Sequence, residues 1–245
     1  MKSYKNCIIS ILGDSISTFA GYIPVADGKN LAHRKRYPQD NLLTDVNETW
    51  WMRIINEQEA RLGINDSWAG STVGNVFDGK SGDMGEDAAM ASMTRISNLG
   101  SNGAPDLILF YGGTNDIGRK LYPIGELSCD EMDAMIDEAD LKRTKWDSLS
   151  AAYISALVRM KKLYPNAEIL AILPGFVVSA YSPETLDNVN RQLIRICERL
   201  GVKYADLRSD GITPSNAKNY LPDKLHPNSE GMKLIAACVS KALEA

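Results

Sequence analysis

The sequence predicts an α/β fold of the doubly wound class: one domain over residues 1–245, with a five-stranded parallel sheet between two helical layers. Three observations carry this expectation. Short apolar runs alternate with segments of helical periodicity, which requires right-handed crossovers and a sheet covered on both faces. The length suits one large α/β core, and the 44% apolar and 24% charged composition is ordinary globular usage. Two long irregular stretches, 21–47 and 117–145, come directly after the strand ends where ligands bind in such sheets.

The elements are taken in chain order. Residues 7–12 (CIISIL) read as a strand buried on both faces, because they form a short, continuous apolar run. Residues 48–62 carry apolar side chains at three- and four-residue steps and read as a helix, and 64–68 as a weaker strand. A second helical pattern covers 86–99, and residues 106–111 (DLILFY) form the third strand. The pattern over 146–164 predicts a helix ended by Pro165, and 167–173 (AEILAIL) the fourth strand. A helix over 184–200 stops at Gly201, and a weaker strand covers 202–207. The last helix, 229–243, sets Met232, Ile235, Cys238, Val239 and Ala242 on one side, with Asn228 or Ser229 as its cap. Six acidic residues between Asp130 and Asp140 read as a solvated helix face.

Charge and cysteine usage exclude several classes. Twenty-seven basic against thirty-one acidic residues leave a net charge of −4, so no basic footprint points to nucleic acid or anionic lipid. The four cysteines are far apart; Cys7, Cys197 and Cys238 lie in apolar runs and read as buried small hydrophobes. The two histidines, His33 and His226, lie far from any cysteine, so no zinc site of the usual ligand types assembles and no metal or cofactor is expected. No segment reads as a membrane span. The apolar run behind the basic N-terminus breaks at Gly13-Asp14, too short for a secretory segment, and a cytoplasmic location is expected.

The first strand runs into Gly13-Asp14-Ser15-Ile16-Ser17, placing Ser15 where a strand gives way to a helix at the carboxyl edge of the sheet. There, backbone N–H groups can hold the oxyanion formed when a serine attacks a carbonyl. A serine that merely caps a helix reads equally well from this segment alone. In Asp223-Lys224-Leu225-His226-Pro227 one turn can bring the carboxylate onto the imidazole, leaving the other ring nitrogen for the Ser15 proton; an incidental turn histidine is the alternative. Gly70, after the second strand, and Asn115, after the third, supply a backbone N–H open to close approach and an uncharged amide. With the Ser15 N–H they would form an oxyanion hole.

These residues resemble the SGNH hydrolases, the GDSL-type esterases and lipases, named for a Ser, Gly, Asn and His. Gly13-Asp14-Ser15 is similar to the family's nucleophile block, Gly70 to its second-block glycine, Gly113-Thr114-Asn115-Asp116 to its third block, and residues 223–227 to its D-x-x-H-P block. Four blocks in order, each at a predicted carboxyl strand end, span nearly the whole chain. Ile16 stands where many members have leucine. The resemblance implies a flavodoxin-like sheet of order 2-1-3-4-5, with Ser15, Asp223 and His226 as catalytic residues. The implied reaction is hydrolysis of a carboxylic ester through an acyl-enzyme, the substrate being a small molecule such as a short-chain acyl or acetyl ester, including one on a carbohydrate.

Rival readings remain. Residues 74–81 (GNVFDGKS), from Gly74 to Ser81, match the phosphate-cradling G-x-x-x-x-G-K-[ST] of nucleotide hydrolases, but a polar stretch precedes them, and Gly82 and Gly85 break the helix that should open directly after such a loop. An α/β-hydrolase fold would need G-x-S-x-G around its nucleophile, which Ser15 lacks. A non-catalytic carbohydrate- or lipid-binding domain on the same scaffold would have lost one of Ser15, Asp223 and His226, and all three are present. Tyr22, Trp50 and Trp68 are the candidate substrate-pocket aromatics, beside Tyr37 in the first long loop, whereas the spacing of Trp51 to Ile54 and Ile55 marks it for the core. The oligomeric state is left open.

Overall fold

The computed structural model describes residues 3–23, 37, 42–74, 88–120, 123–137, 146–178 and 181–245. Five parallel strands, β1 (Ile8–Gly13), β2 (Arg61–Ser67), β3 (Leu107–Tyr111), β4 (Glu168–Leu173) and β5 (Lys203–Asp206), form one sheet in the order β2-β1-β3-β4-β5. The helices are α1 (Trp50–Glu57), α2 (Met93–Asn98), α3 (Thr114–Arg119), α4 (Cys129–Asp137), α5 (Leu149–Leu163), α6 (Pro183–Leu200), α7 (Leu207–Asp210), α8 (Ala217–Tyr220) and α9 (Ser229–Glu244).

Strand alternation sorts the core into two faces. Leu12, Ile108, Phe110, Ala171 and Leu173 face the layer containing α2, α5 and α6, whereas Ile9, Ile11, Leu109, Leu170 and Ile172 face α1 and α9. The chain reverses direction across the sheet between β1 and β3, so the segments after β1, β2 and β3 meet at one crevice, the place where doubly wound sheets bind ligands.

The deviations from the sequence reading have local causes. The helix predicted over 48–62 ends at Glu57: Gln58 is its C-cap, Glu59 adopts φ 51°, and β2 begins at Arg61, earlier than the expected 64. The start of β2 is exposed, so it carries little apolar signal. The helix expected over 86–99 is only α2 among the described residues, starting behind the Ser92 cap. Helices α3, α4, α7 and α8 are short and gave no amphipathic pattern long enough to read. The acidic segment contains α4, where Asp133 meets Arg199 on the surface. Cys197 and Cys238 are buried as expected, while Cys7 is half-buried. Among the described residues no helix is long and apolar enough to cross a membrane.

A bulge in β2 shapes the crevice. Ile9 pairs with Leu62 and Ile11 with Asn65, so Gly63 and Ile64 together oppose Ser10. The Ser10 hydroxyl accepts the Ile64 N–H at 3.1 Å and donates to the Leu99 carbonyl at 2.8 Å. Beyond the bulge, Asn65, Asp66 and Ser67 are all buried despite their polarity, because each has a partner beneath the β1 turn.

The main partner is Arg95 of α2, whose side chain is fully buried. Its Nε donates to Asp66 Oδ2 at 3.1 Å, Nη1 to the Ala88 carbonyl at 2.8 Å, and Nη2 to the carbonyls of Asp66 at 2.5 Å and Gly13 at 3.3 Å. The guanidinium carbon lies 4.3 Å from the centre of the Trp68 ring. Removing one partner of a buried pair leaves the other charge uncompensated. Arg95→Met is therefore expected to destabilise the protein by about 3–5 kcal/mol in urea denaturation; a loss under about 1 kcal/mol, the scale of a surface pair, would show that the pair constrains nothing.

Candidate active site

Ser15 opens a single 3-10 turn, Ser15–Ser17, directly after β1. The cap of this turn is Asp14, whose Oδ1 accepts the Ile16 N–H at 2.9 Å, so the capping role is taken by its neighbour and the Ser15 hydroxyl is left to other partners. The turn is pinned from several directions. The Gly13 carbonyl accepts from Trp68 N, Ser71 Oγ and Arg95 Nη2. Ser17 accepts the Asn65 amide on its carbonyl at 2.8 Å and the Trp50 indole N–H on its hydroxyl at 3.2 Å.

The segment before α9 brings its histidine onto this serine across 211 residues of sequence: His226 Nε2 lies 2.9 Å from Ser15 Oγ. His226 Nδ1 lies 2.8 Å from Asp223 Oδ2, while Asp223 Oδ1 accepts the N–H groups of His226 at 2.7 Å and Leu225 at 3.0 Å. Lys224, at φ 71°, makes the tight reversal, and its carbonyl accepts the Val178 N–H. Burial disfavours charge on Asp223, but the backbone N–H of His226, its imidazole and the Leu225 N–H outweigh that and hold the carboxyl below its ordinary pKa. Asp223 is thus an acceptor near neutrality, which assigns the proton to Nδ1 and leaves Nε2 to accept from the Ser15 hydroxyl.

The expected oxyanion donors surround the same turn. Among the described residues neither the Ser15 N–H nor the Gly70 N–H has a hydrogen-bond partner. Gly70 sits at φ +78°, a conformation that disfavours a side chain, and a Cβ there would lie 2.6 Å from Arg119 Nη2. Asn115, near the start of α3, spends one amide N–H on the Ser71 carbonyl at 3.0 Å; a longer contact of 3.4 Å reaches Asp14 Oδ2. Gly113 begins α3 at φ +114°, where a Cβ would press on Pro174.

The aromatic expectations fare differently. Trp50 is completely buried, its ring edge-on to Tyr111, so it supports the Ser15 turn from inside the core and does not line a pocket. Trp51 is core, as its spacing indicated. Trp68 is half-buried against Arg95. Tyr22 is exposed and borders a cavity along β2 with Ile23, Leu62 and Asn65, which none of Ser15, Gly70, Asn115 or His226 lines. Tyr37, a loop aromatic by its sequence position, donates its hydroxyl to the Pro227 carbonyl at 3.0 Å, and its ring stands edge-on to His226. His33 and positions 75–81 of the phosphate-loop match lie outside the described residues. Among the described residues no cluster of three or more His, Cys, Asp or Glu could hold a metal ion.

Two fully buried carboxyls lie beside these groups. Desolvation, opposed by the Ile16 N–H and reinforced by Asp116, pushes Asp14 up to about 7. Desolvation likewise pushes Asp116 up to about 7, although the N–H groups of Val73 and Gly74 hydrogen-bond to it.

Comparison with known proteins points the same way. A family model, GDSL-like lipase/acylhydrolase, matches residues 7–243. A crystal structure from Bacteroides uniformis described as a GDSL-like lipase is 30% identical, with 98% of this chain and 96% of that one covered and a TM-score of 0.66. One from Bacteroides ovatus, described likewise, is 25% identical over 98% and 99% of the two chains, with a TM-score of 0.68. Axe2, an acetylxylan esterase from Geobacillus stearothermophilus, shares the fold at 16% identity over 100% and 97% of the chains, with a TM-score of 0.57. Catalytic mutants of Axe2 replace a histidine and an aspartate three positions before it. Among curated proteins no match is found.

The two raised carboxyls set a pH dependence. A carboxyl whose folded pKa lies above its unfolded value contributes stability that is complete below the unfolded value, near 3.8, and is lost as pH rises through about 7. The melting temperature is therefore expected to fall between about pH 4 and 7 and to level off above that, each group contributing up to about 1.4 kcal/mol per pH unit in that window. Asp14→Asn should flatten the decline, as measured by thermal unfolding at several pH values. A wild-type melting temperature that rises over the same interval would contradict the assignment.

Proposed function

The chain belongs to the GDSL-like lipase/acylhydrolase family, and from that premise we propose that it is a serine esterase that hydrolyses a carboxylic ester through an acyl-enzyme on Ser15. The observation that carries this reading is the continuous Ser15 Oγ, His226, Asp223 hydrogen-bond chain of 2.9 and 2.8 Å at the carboxyl end of β1. His226 Nε2 takes the hydroxyl proton as Ser15 Oγ bonds to the carbonyl carbon, and Asp223 steadies the imidazolium. The oxygen that gains charge is received by the Ser15 and Gly70 N–H groups and the Asn115 amide, whose long contact to Asp14 is the one to yield. On collapse, His226 returns the proton to the departing alkoxide. Water, deprotonated by the same nitrogen, then cleaves the acyl-serine and releases the acid.

A small substrate with a short acyl or acetyl group, including one carried on a carbohydrate, is the proposed class, supported by the fold shared with an acetylxylan esterase. The roles can be tested separately. A fluorophosphonate probe should label Ser15, and His226→Ala should lower kcat on nitrophenyl esters by about three orders of magnitude with KM little changed, because a general base acts on the transition state. Label on another serine, or a fully active His226→Ala, would overturn the mechanism.

Asn115→Ala should lower kcat by about a hundredfold to a thousandfold, the loss of one oxyanion donor, while keeping substrate affinity. If the variant melts lower but its active-site-titrated kcat is unchanged, Asn115 only shapes the turn after β3.

A further inference from the structure

We propose that Arg119 recognises an anionic oxygen group on the substrate, beside the scissile carbonyl, so that the enzyme prefers negatively charged esters; this rests on the serine-esterase reading and specifies the substrate class of that same site. Arg119 is the last residue of α3, four positions after Asn115, so the two side chains lie on one face of the helix. Its guanidinium lies against Gly70: Nη2 stands 2.6 Å from the point that a Cβ would occupy. The absence of a side chain at Gly70 therefore admits the cation to the same backbone whose N–H is offered to the oxyanion.

Arg119 is exposed and makes no hydrogen bond or ion pair among the described residues, its charge reaching the buried Asp116 carboxyl only through space. This sets it apart from Arg95, Arg199 and Arg208, each of which is held by a carboxylate. A guanidinium presents a planar fork of donors that fits a carboxylate with two parallel hydrogen bonds. The chain as a whole carries a net charge of −4, so the protein's overall field offers an anionic ester no attraction and the local cation must supply it.

The test compares matched esters on the full chain: nitrophenyl butyrate against nitrophenyl hemisuccinate for charge on the acyl side, and phenyl acetate against 4-carboxyphenyl acetate for charge on the leaving side. Each kcat/KM is divided by the uncatalysed rate. The wild-type protein should favour the anionic member of at least one pair by about tenfold or more, the scale of one charge-assisted hydrogen bond, and the preference should shrink as salt is raised. Arg119→Gln should bring that ratio towards unity, and Arg119→Lys should retain part of it. Equal rates for both members of both pairs in the wild type would overturn the proposal. So would an Arg119→Gln variant that slows both members by one factor, which would make the residue a general support of the oxyanion or of the α3 end. Turnover of the neutral esters lost in Ser15→Ala keeps the esterase reading intact if the charge preference fails; turnover unaffected by Ser15→Ala removes that reading itself.

Discussion

The site depends on how one carbonyl, that of Gly13, is held. It lies at the end of β1 and accepts donors from the β2–α2 connection, through Trp68 N and Ser71 Oγ, and from α2, through Arg95. A serine displaced by an ångström from its base loses most of its value as a nucleophile, so the backbone before it must be fixed by more than strand pairing. Arg95 supplies that fixity, since the same guanidinium ties Asp66 and Ala88 and lies on Trp68. The bulge at Gly63 and Ile64 serves the same end by setting the register in which Asn65 and Asp66 reach their partners.

The pattern of strands was legible because buried parallel strands are continuous apolar runs, and the site because its blocks lie at strand ends in a fixed order. Ser15, Asp223 and His226 meet as the sequence blocks implied. What the sequence concealed depends on distant partners. Arg95 looks like any arginine of a short surface helix, and only the folded chain shows it enclosed with Asp66. Trp50 reads from the sequence as a substrate aromatic and Tyr37 as a loop aromatic, yet their polar ends meet Ser17 and Pro227. Arg119 carried no signal at all, because its relation to Gly70 is a contact between the end of α3 and the loop after β2 rather than a spacing. Element boundaries failed where amphipathicity fails, at the exposed start of β2 and in helices of four to nine residues.

Charge is distributed unevenly around the crevice. The interior beneath the Ser15 turn contains the carboxyls of Asp14 and Asp116, both disfavoured as anions by burial, while Asp223 on the outer side is kept ionised by the N–H groups of its own turn. Carboxyls of one chemical type are thus divided into a pair disfavoured as anions and a fixed negative charge. Only the second lies against the imidazole.

The separation of Ser15 from His226 by 211 positions in the chain bears on biosynthesis. A domain folds as a unit, and this one is not complete until β4, β5 and α9 have been made. The Ser15 hydroxyl has no imidazole beside it until the segment preceding α9 has left the ribosome and α9 has docked beside α1. A nascent or prematurely released chain therefore carries Ser15 without its imidazole partner. The contact between Ser15 and His226 arrives with the closing of the last helix and reports that the whole fold has been completed.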